Sequence, residues 1–458
     1  MNIVRRTERM LNIVYVIWVA SIAAIVATSP VLLFNATYFT FLVFFPSIAF
    51  GLRKRYALAT FIFFLMLQKF IFFFSTTSPM YVFYSFYITL TLLFEEIFTR
   101  ETLFDKTALR ATLFILFVAT YDILVGNAYE YEIVVFSYDF HNVYQMVKNW
   151  VINALLVVVT YRISLTAVFD EVSERINFLS IILAEMSYLV FFATKIGQHA
   201  RDPVVSEVLN ISFRGYTRID PNFYVLLAVL LTLLFIPRKK LYQLLSILLL
   251  LVFNVLYLLS MTGFVVIMFA LFFIIVTSVK RRFRPLVSIA LLVVGILGLN
   301  YVMASRFRDL NISNIFENAS VSKYDFINRF LTGRPKIWIG YFQLIMDHPL
   351  GVGIQNAWLH VYKYIGLAMF PHNMFIDLIA GLGIGLGVFV ITALLYILVK
   401  LLAKGKMLTS ATTAYAAMLI AGLTLSVISW HVTYITIGAV LRYLSLYKLG
   451  QRKLQSMS

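Results

Sequence analysis

The chain alternates long apolar runs with short charged clusters, and this pattern recurs from one end to the other. Residues 11–28 form the first run, about 18 positions, enough for a helix to cross a hydrocarbon core roughly 30 Å thick. The runs between charge clusters predict spans at 11–28, 31–51, 56–74, 81–97, 111–126, 150–167, 177–194, 222–236, 241–258, 261–279, 285–303, 372–399, 410–428 and 431–447. Two pairs, 241–258 with 261–279 and 410–428 with 431–447, have tiny connections, and re-entrant hairpins there would lower the count to about 12. Backbone groups in lipid must be bonded within the segment, so these runs read as helices. The expected fold is all-α: a polytopic transmembrane helical bundle of about 12–14 spans with a large helical extracytoplasmic loop.

Composition supports that reading. Of 458 residues, 61% are hydrophobic and 13% charged, against about a quarter charged in an ordinary soluble domain. The net charge of +17 would suggest nucleic acid in a soluble chain, but no nucleic-acid partner is expected for one this apolar. Cysteine is absent, which removes disulfides, thiolate catalysis and Cys-ligated zinc. Arg5, Arg6 and Arg9 precede the first run, and the next begins at once at Val31; the first segment reads as an uncleaved span rather than a signal peptide. Five regions follow: an N-terminal bundle 1–194, a basic loop 195–221, helices 222–303, a large loop 304–371, and C-terminal helices 372–458.

Orientation follows from the Lys/Arg bias of short loops. With both termini cytoplasmic, inner loops hold 25 of the 38 basic residues, among them Arg53-Lys54-Arg55, Arg238-Lys239-Lys240 and Lys280-Arg281-Arg282. The short turns opposite carry none. Eleven of the remaining basic residues fall in the outer segments 195–221 and 304–371, and all six histidines lie on that side. A translocated loop tolerates such charges without using them; an anionic, phosphate-bearing substrate would require them.

Segment 304–371 is too long for a plain connection. Thr332-Gly333-Arg334-Pro335 reads as a turn opening a helix, with Pro335 suited to its first position. Ile337, Tyr341, Leu344 and Ile345 then recur at helical spacing. His348-Pro349-Leu350-Gly351-Val352-Gly353 ends that helix, a short helix near 357–367 follows, and Pro371-His372-Asn373 opens the next span.

The order Thr-Gly-Arg-Pro-Lys-Ile-Trp (332–338), His-Pro-Leu-Gly-Val-Gly (348–353) and His-Asn-Met-Phe-Ile-Asp (372–377), then Gly381, Gly383, Gly385 and Gly387, resembles the O-antigen polymerase/O-antigen ligase family. Arg218-Ile219-Asp220-Pro221-Asn222 is similar to that family's Pro-Asn entry into a span. Two features depart from its pattern. The stretch 259–264 lacks the Ser-Arg pair found in many members, and Ala380-Gly381 stands where many carry Glu. The resemblance implies a GT-C-like fold in the bacterial inner (plasma) membrane and an extracytoplasmic active site. It implies transfer of glycan from an undecaprenyl-pyrophosphate-linked oligosaccharide to a sugar hydroxyl, with the bilayer and, for a polymerase, a chain-length regulator as partners.

Such a transfer must neutralise the departing pyrophosphate and deprotonate the acceptor hydroxyl. Arg334 is the first choice for the pyrophosphate, since guanidinium keeps its charge and presents a planar fork to phosphate oxygens. Its alternative role is to anchor lipid headgroups. Arg218 and Arg214, just before a span, and Lys336 beside Arg334 are further phosphate candidates; for Arg218 and Arg214 the alternative is a solvated loop charge. His372 suits the general base, with an ordinary pKa of about 6.5, or a diphosphate hydrogen bond, or a structural role. Asn373 would orient that imidazole or bind sugar. His348 reads as a turn former or a substrate contact. His141, His199, His360 and His431 have no motif behind them. No metal site or cofactor is expected, because the outer acids and histidines lack ligand spacing. The intramembrane ionisable residues Lys69, Asp122, Glu185 and Asp377 suggest pairing or function, Lys69 with Asp122 or Glu185 being one possibility. Polymerisation of lipid-linked repeats is the leading reading, since a ligase needs a lipid A core acceptor. A ligase, a polysaccharide flippase, or a non-catalytic partner of a synthase are the alternatives; no internal repeat of the transporter kind is evident.

Overall fold

A computed structural model describes residues 2–28, 32–33, 35–68, 72–73, 78–99, 106–128, 143–166, 171–193, 221–258, 260–306, 334–366, 369–403, 409–429 and 431–455. The protein is helical, apart from a two-residue antiparallel pairing of Phe72–Phe73 with Ser78–Pro79 among the described residues. Among the described residues, six stretches are long and apolar enough to cross a membrane: Thr7–Thr28, Leu109–Gly126, Lys240–Leu258, Met261–Ser278, Arg281–Val302 and Met374–Ala403. The chain is a polytopic helical membrane protein.

The helices are α1 (Asn2–Thr28), α2 (Ala36–Gly51), α3 (Lys54–Met66), α4 (Met80–Thr99), α5 (Lys106–Gly126), α6 (Val143–Thr166), α7 (Glu171–Ala193), α8 (Pro221–Phe235), α9 (Lys240–Leu258), α10 (Met261–Ser278) and α11 (Arg284–Arg306). There follow α12 (Arg334–Asp347), α13 (Ala357–His360), α14 (Tyr362–Ile365), α15 (Met374–Ala403), α16 (Ser410–Gly422) and α17 (His431–Gln455). They form two compact units, one of residues 1–103 and 159–299, the other of 104–158 and 300–458.

In the first unit α7 packs against α1 and α3, joined by the buried pair Tyr15 Oη and Ser180 Oγ at 3.2 Å. A π-helical stretch at Phe39–Phe44 interrupts α2. Its irregular ladder leaves the Leu42 carbonyl to accept from Trp18 Nε1 at 2.6 Å. Buried Glu185 on α7 accepts from Ser246 Oγ of α9 at 2.9 Å, and Thr232 of α8 meets the same hydroxyl at 2.9 Å. Ser260 separates α9 from α10 and caps the latter, accepting from the Gly263 amide at 2.8 Å while its hydroxyl donates to Asn222 Oδ1 at 2.5 Å. The pair 241–258 and 261–279 is therefore two full-length helices joined at one capped turn. At the other end of α9, Lys239 pairs with Glu171 at 2.6 Å, which lowers the carboxyl pKa and raises that of the amine. Leu286, Ile289, Leu292 and Leu297 stand exposed along α11, as lipid-facing side chains do.

In the second unit two expected spans change form. The run 410–428 holds only the 13-residue α16, which stops at Gly422 and is too short to cross a bilayer alone. The run 372–399 is helical to 403 but is broken at Gly383, where φ is 77° and ψ 170°. A short segment, 374–382, precedes the break, and about 20 residues, enough to cross, follow it.

Candidate functional site

The site is built in the second unit from α12, the segment after it and the first part of α15. Ile337, Tyr341, Leu344 and Ile345 form the buried stripe of α12 and pack on Val352, Ala357, Val361 and Ala380. The other polar atoms of that face tie down the chain entering α15. Trp338 Nε1–H donates to the Pro371 carbonyl at 2.8 Å, and Tyr341 Oη–H to the Met369 carbonyl at 3.0 Å. Arg334, the first residue of α12 and half-buried, stands one helical turn before Trp338 on the same face. Lys336 is exposed.

His372 follows Pro371 directly and has φ of 50°, the single described non-glycine residue with positive φ. That left-handed conformation is disfavoured for a residue with a Cβ. The fold holds it from both sides. Pro371 is bound by Trp338, and Asn373 caps α15, its Oδ1 accepting from the Phe375 and Ile376 amides at 3.0 and 3.2 Å. The Asn373 amide nitrogen donates to the Leu423 carbonyl at 3.1 Å. Asn373 is thus committed to the turn that presents the imidazole. Asp377, one turn further along, is fully buried.

The break in α15 receives the segment after α12. Val352 and Gly353 amides donate to the Ala380 and Gly381 carbonyls at 3.1 and 2.8 Å, and the Ile384 amide donates to the Pro349 carbonyl at 2.9 Å. A side chain on Gly383 would collide with the Leu350 backbone, and one on Gly351 with the backbone of Gly381 and Gly383. The two glycine-bearing motifs of the sequence therefore interlock as backbone on backbone. His348 opens this segment, its carbonyl accepting from the Gly351 amide at 2.8 Å. Its ring lies 6.2 Å from that of His360. Partial burial lowers the His348 pKa, although Asp347 opposes the shift.

Asp122 on α5 is fully buried. Its partners are the Ile354 amide at 2.6 Å and Trp150 Nε1–H at 2.8 Å. Around it, Tyr121 Oη–H donates to the Leu350 carbonyl at 2.9 Å and Asn356 Nδ2–H to the Gly126 carbonyl at 2.9 Å. Asp122 is satisfied without Lys69, which lies outside the described residues together with Arg214, Arg218, His141 and His199. His431 is half-buried at the start of α17, Nδ1–H donating to Asn153 Oδ1 at 2.8 Å. The structure thus links the Arg334 end of α12 to the turn of His372 and Asn373 through Trp338, whereas His348 lies at the opposite end of that 14-residue helix, about 20 Å from Arg334. The roles of Trp338, Tyr341 and Asp122 are additions; for Asp122 the charge inside an apolar run was a signal, whereas its partners are tertiary.

Searches of curated proteins and of solved structures return no match to this chain. One family model does match, that of the O-antigen ligase family, over residues 244–392, from within α9 to the middle of α15. It includes α12, the interlocked glycine motifs and the His372 turn, and over this stretch, about a third of the chain, the protein is similar to the O-antigen ligase family, whose glycosyltransferase-like members act on lipid-linked oligosaccharides in the membrane.

Proposed function

We propose that the protein polymerises polyprenyl-pyrophosphate-linked oligosaccharide repeats at the outer face of the bacterial inner membrane, by an inverting and metal-independent transfer. The observation carrying this reading is the Trp338–Pro371 bond, which links the helix begun by Arg334 to the turn bearing His372. Arg334 binds the departing pyrophosphate, aided by the first amides of α12, an end of a helix that favours anions. His372 takes the proton of the acceptor hydroxyl as that oxygen forms its bond to the donor anomeric carbon, and the pyrophosphate leaves with the electron pair of the bond that breaks. Lys336, exposed two residues after Arg334, extends the field that gathers the donor.

Purified protein in detergent, given lipid-linked repeat units alone, tests this. Longer lipid-linked products are expected, and their loss in Arg334→Ala and His372→Ala. Transfer only to an added lipid A core would replace polymerase by ligase; absence of any product would leave the flippase reading.

A further inference from the structure

We infer that Asp122, on α5 and outside the matched region, is a positioning residue for the His372 turn, acting through the backbone of Ile354; this rests on the transfer reading above. A carboxylate inside an apolar membrane helix is costly unless its oxygens are bonded. Asp122 has one protein donor at each oxygen, the Ile354 amide at 2.6 Å and the Trp150 indole at 2.8 Å. Two N–H groups converging on one side chain require acceptors only, which aspartate supplies. Asparagine would turn an NH2 toward one of them.

What Asp122 holds is the segment seated in the broken helix. Val352 and Gly353, immediately before Ile354, donate to Ala380 and Gly381, and the Ile354 backbone occupies the space a Cβ on Gly381 would need. Tyr121, one residue away on α5, binds the Leu350 carbonyl in the same segment. Residues 374–382 run from this dock back to Asn373 and His372. Displacing Ile354 therefore displaces the helical segment that carries the imidazole. A misplacement of about 1 Å costs a transfer reaction on the order of a hundredfold. The charge on α5 thus acts on a site whose motifs lie more than 200 residues later.

The experiment compares wild type, Asp122→Asn, Trp150→Phe and the double variant. It measures transfer kinetics, thermal unfolding, and amide hydrogen exchange over residues 350–356. Asp122→Asn is expected to lower kcat about tenfold to a hundredfold, with donor KM within about threefold, and to speed exchange at Ile354 by about tenfold or more. Trp150→Phe keeps the bond to Ile354, so kcat stays within about threefold although the protein melts earlier. In the double variant the Asn oxygen can face Ile354, and kcat recovers to within about tenfold while the melting temperature does not. If kcat instead follows melting temperature across all variants, or if Asp122→Asn speeds exchange with kcat unchanged, the positioning role is overturned. No transfer by wild type would refute the transfer reading alone; unchanged exchange in Asp122→Asn would then still overturn the clamp.

Discussion

The indole of Trp338 donates to the carbonyl of Pro371 across 2.8 Å, so a side-chain bond joins the helix begun by Arg334 directly to the residue before His372. Trp338→Phe keeps the ring and removes the donor. Loss of one such bond is worth about 1 kcal/mol, and the transfer rate should fall about fivefold to tenfold. Steady-state kinetics beside thermal unfolding checks this: the rate should fall further than stability alone explains.

Gly383 and Gly385 lie two residues apart and should respond oppositely to alanine. At Gly383, φ is 77° and an added Cβ would strike the Leu350 backbone; Gly383→Ala should cost about 3 kcal/mol or more and reduce the yield of folded protein. Around Gly385 the space is open, and a Cβ added there would meet nothing within 4 Å. Gly385→Ala should leave stability unchanged or raise it by up to about 1 kcal/mol. Thermal unfolding in detergent measures both.

Apolar runs made most helices legible, because lipid demands length and hydrophobicity from each span by itself. The break at Gly383 is less visible, since residues on both sides are equally apolar. It forms because the 349–353 segment, some thirty positions earlier, supplies the missing backbone partners. A glycine run signals such a kink without saying what fills it. The α12 stripe was readable from its spacing, as was the turn at Asn373 from its place before a span. Asp122 stood out as a charge in an apolar run, yet nothing local to it points to Ile354 or Trp150. Likewise the run 410–428 looks continuous, and its helix nevertheless ends at Gly422.

Acid should weaken the protein through His348. Partial burial lowers its folded-state pKa below the ordinary value of 6.5, so the unfolded chain binds the proton first as pH falls. The stabilising contribution is fully present above about pH 6.5 and declines as pH drops toward the folded pKa. His348→Gln should flatten the fall in melting temperature between about pH 7.5 and pH 5 relative to wild type. An identical pH profile in the variant would exclude His348 as its source.

Chelation separates the proposed charge neutralisation from a metal-assisted one. Arg334 carries its charge at every working pH, so EDTA should leave the transfer rate within about twofold, whereas Arg334→Ala should lower it by about a hundredfold or more. A rate abolished by EDTA and restored by a divalent cation would reverse the assignment.

His372 is where stability and activity should part. Its backbone sits at φ 50°, a conformation that costs a residue bearing a Cβ about 1 kcal/mol and glycine almost nothing. If the residue were there only to make the turn, glycine would serve better. His372→Gly should therefore melt at the wild-type temperature or a few degrees above it, since about 1 kcal/mol of relieved strain opposes the extra chain entropy that glycine brings to the unfolded state. Transfer should nevertheless disappear, because the base is gone. His372→Ala keeps the strain and loses the imidazole, so it should be equally inactive and less stable than His372→Gly. Retained transfer in the glycine variant would show that the turn, rather than the side chain, is what the reaction needs.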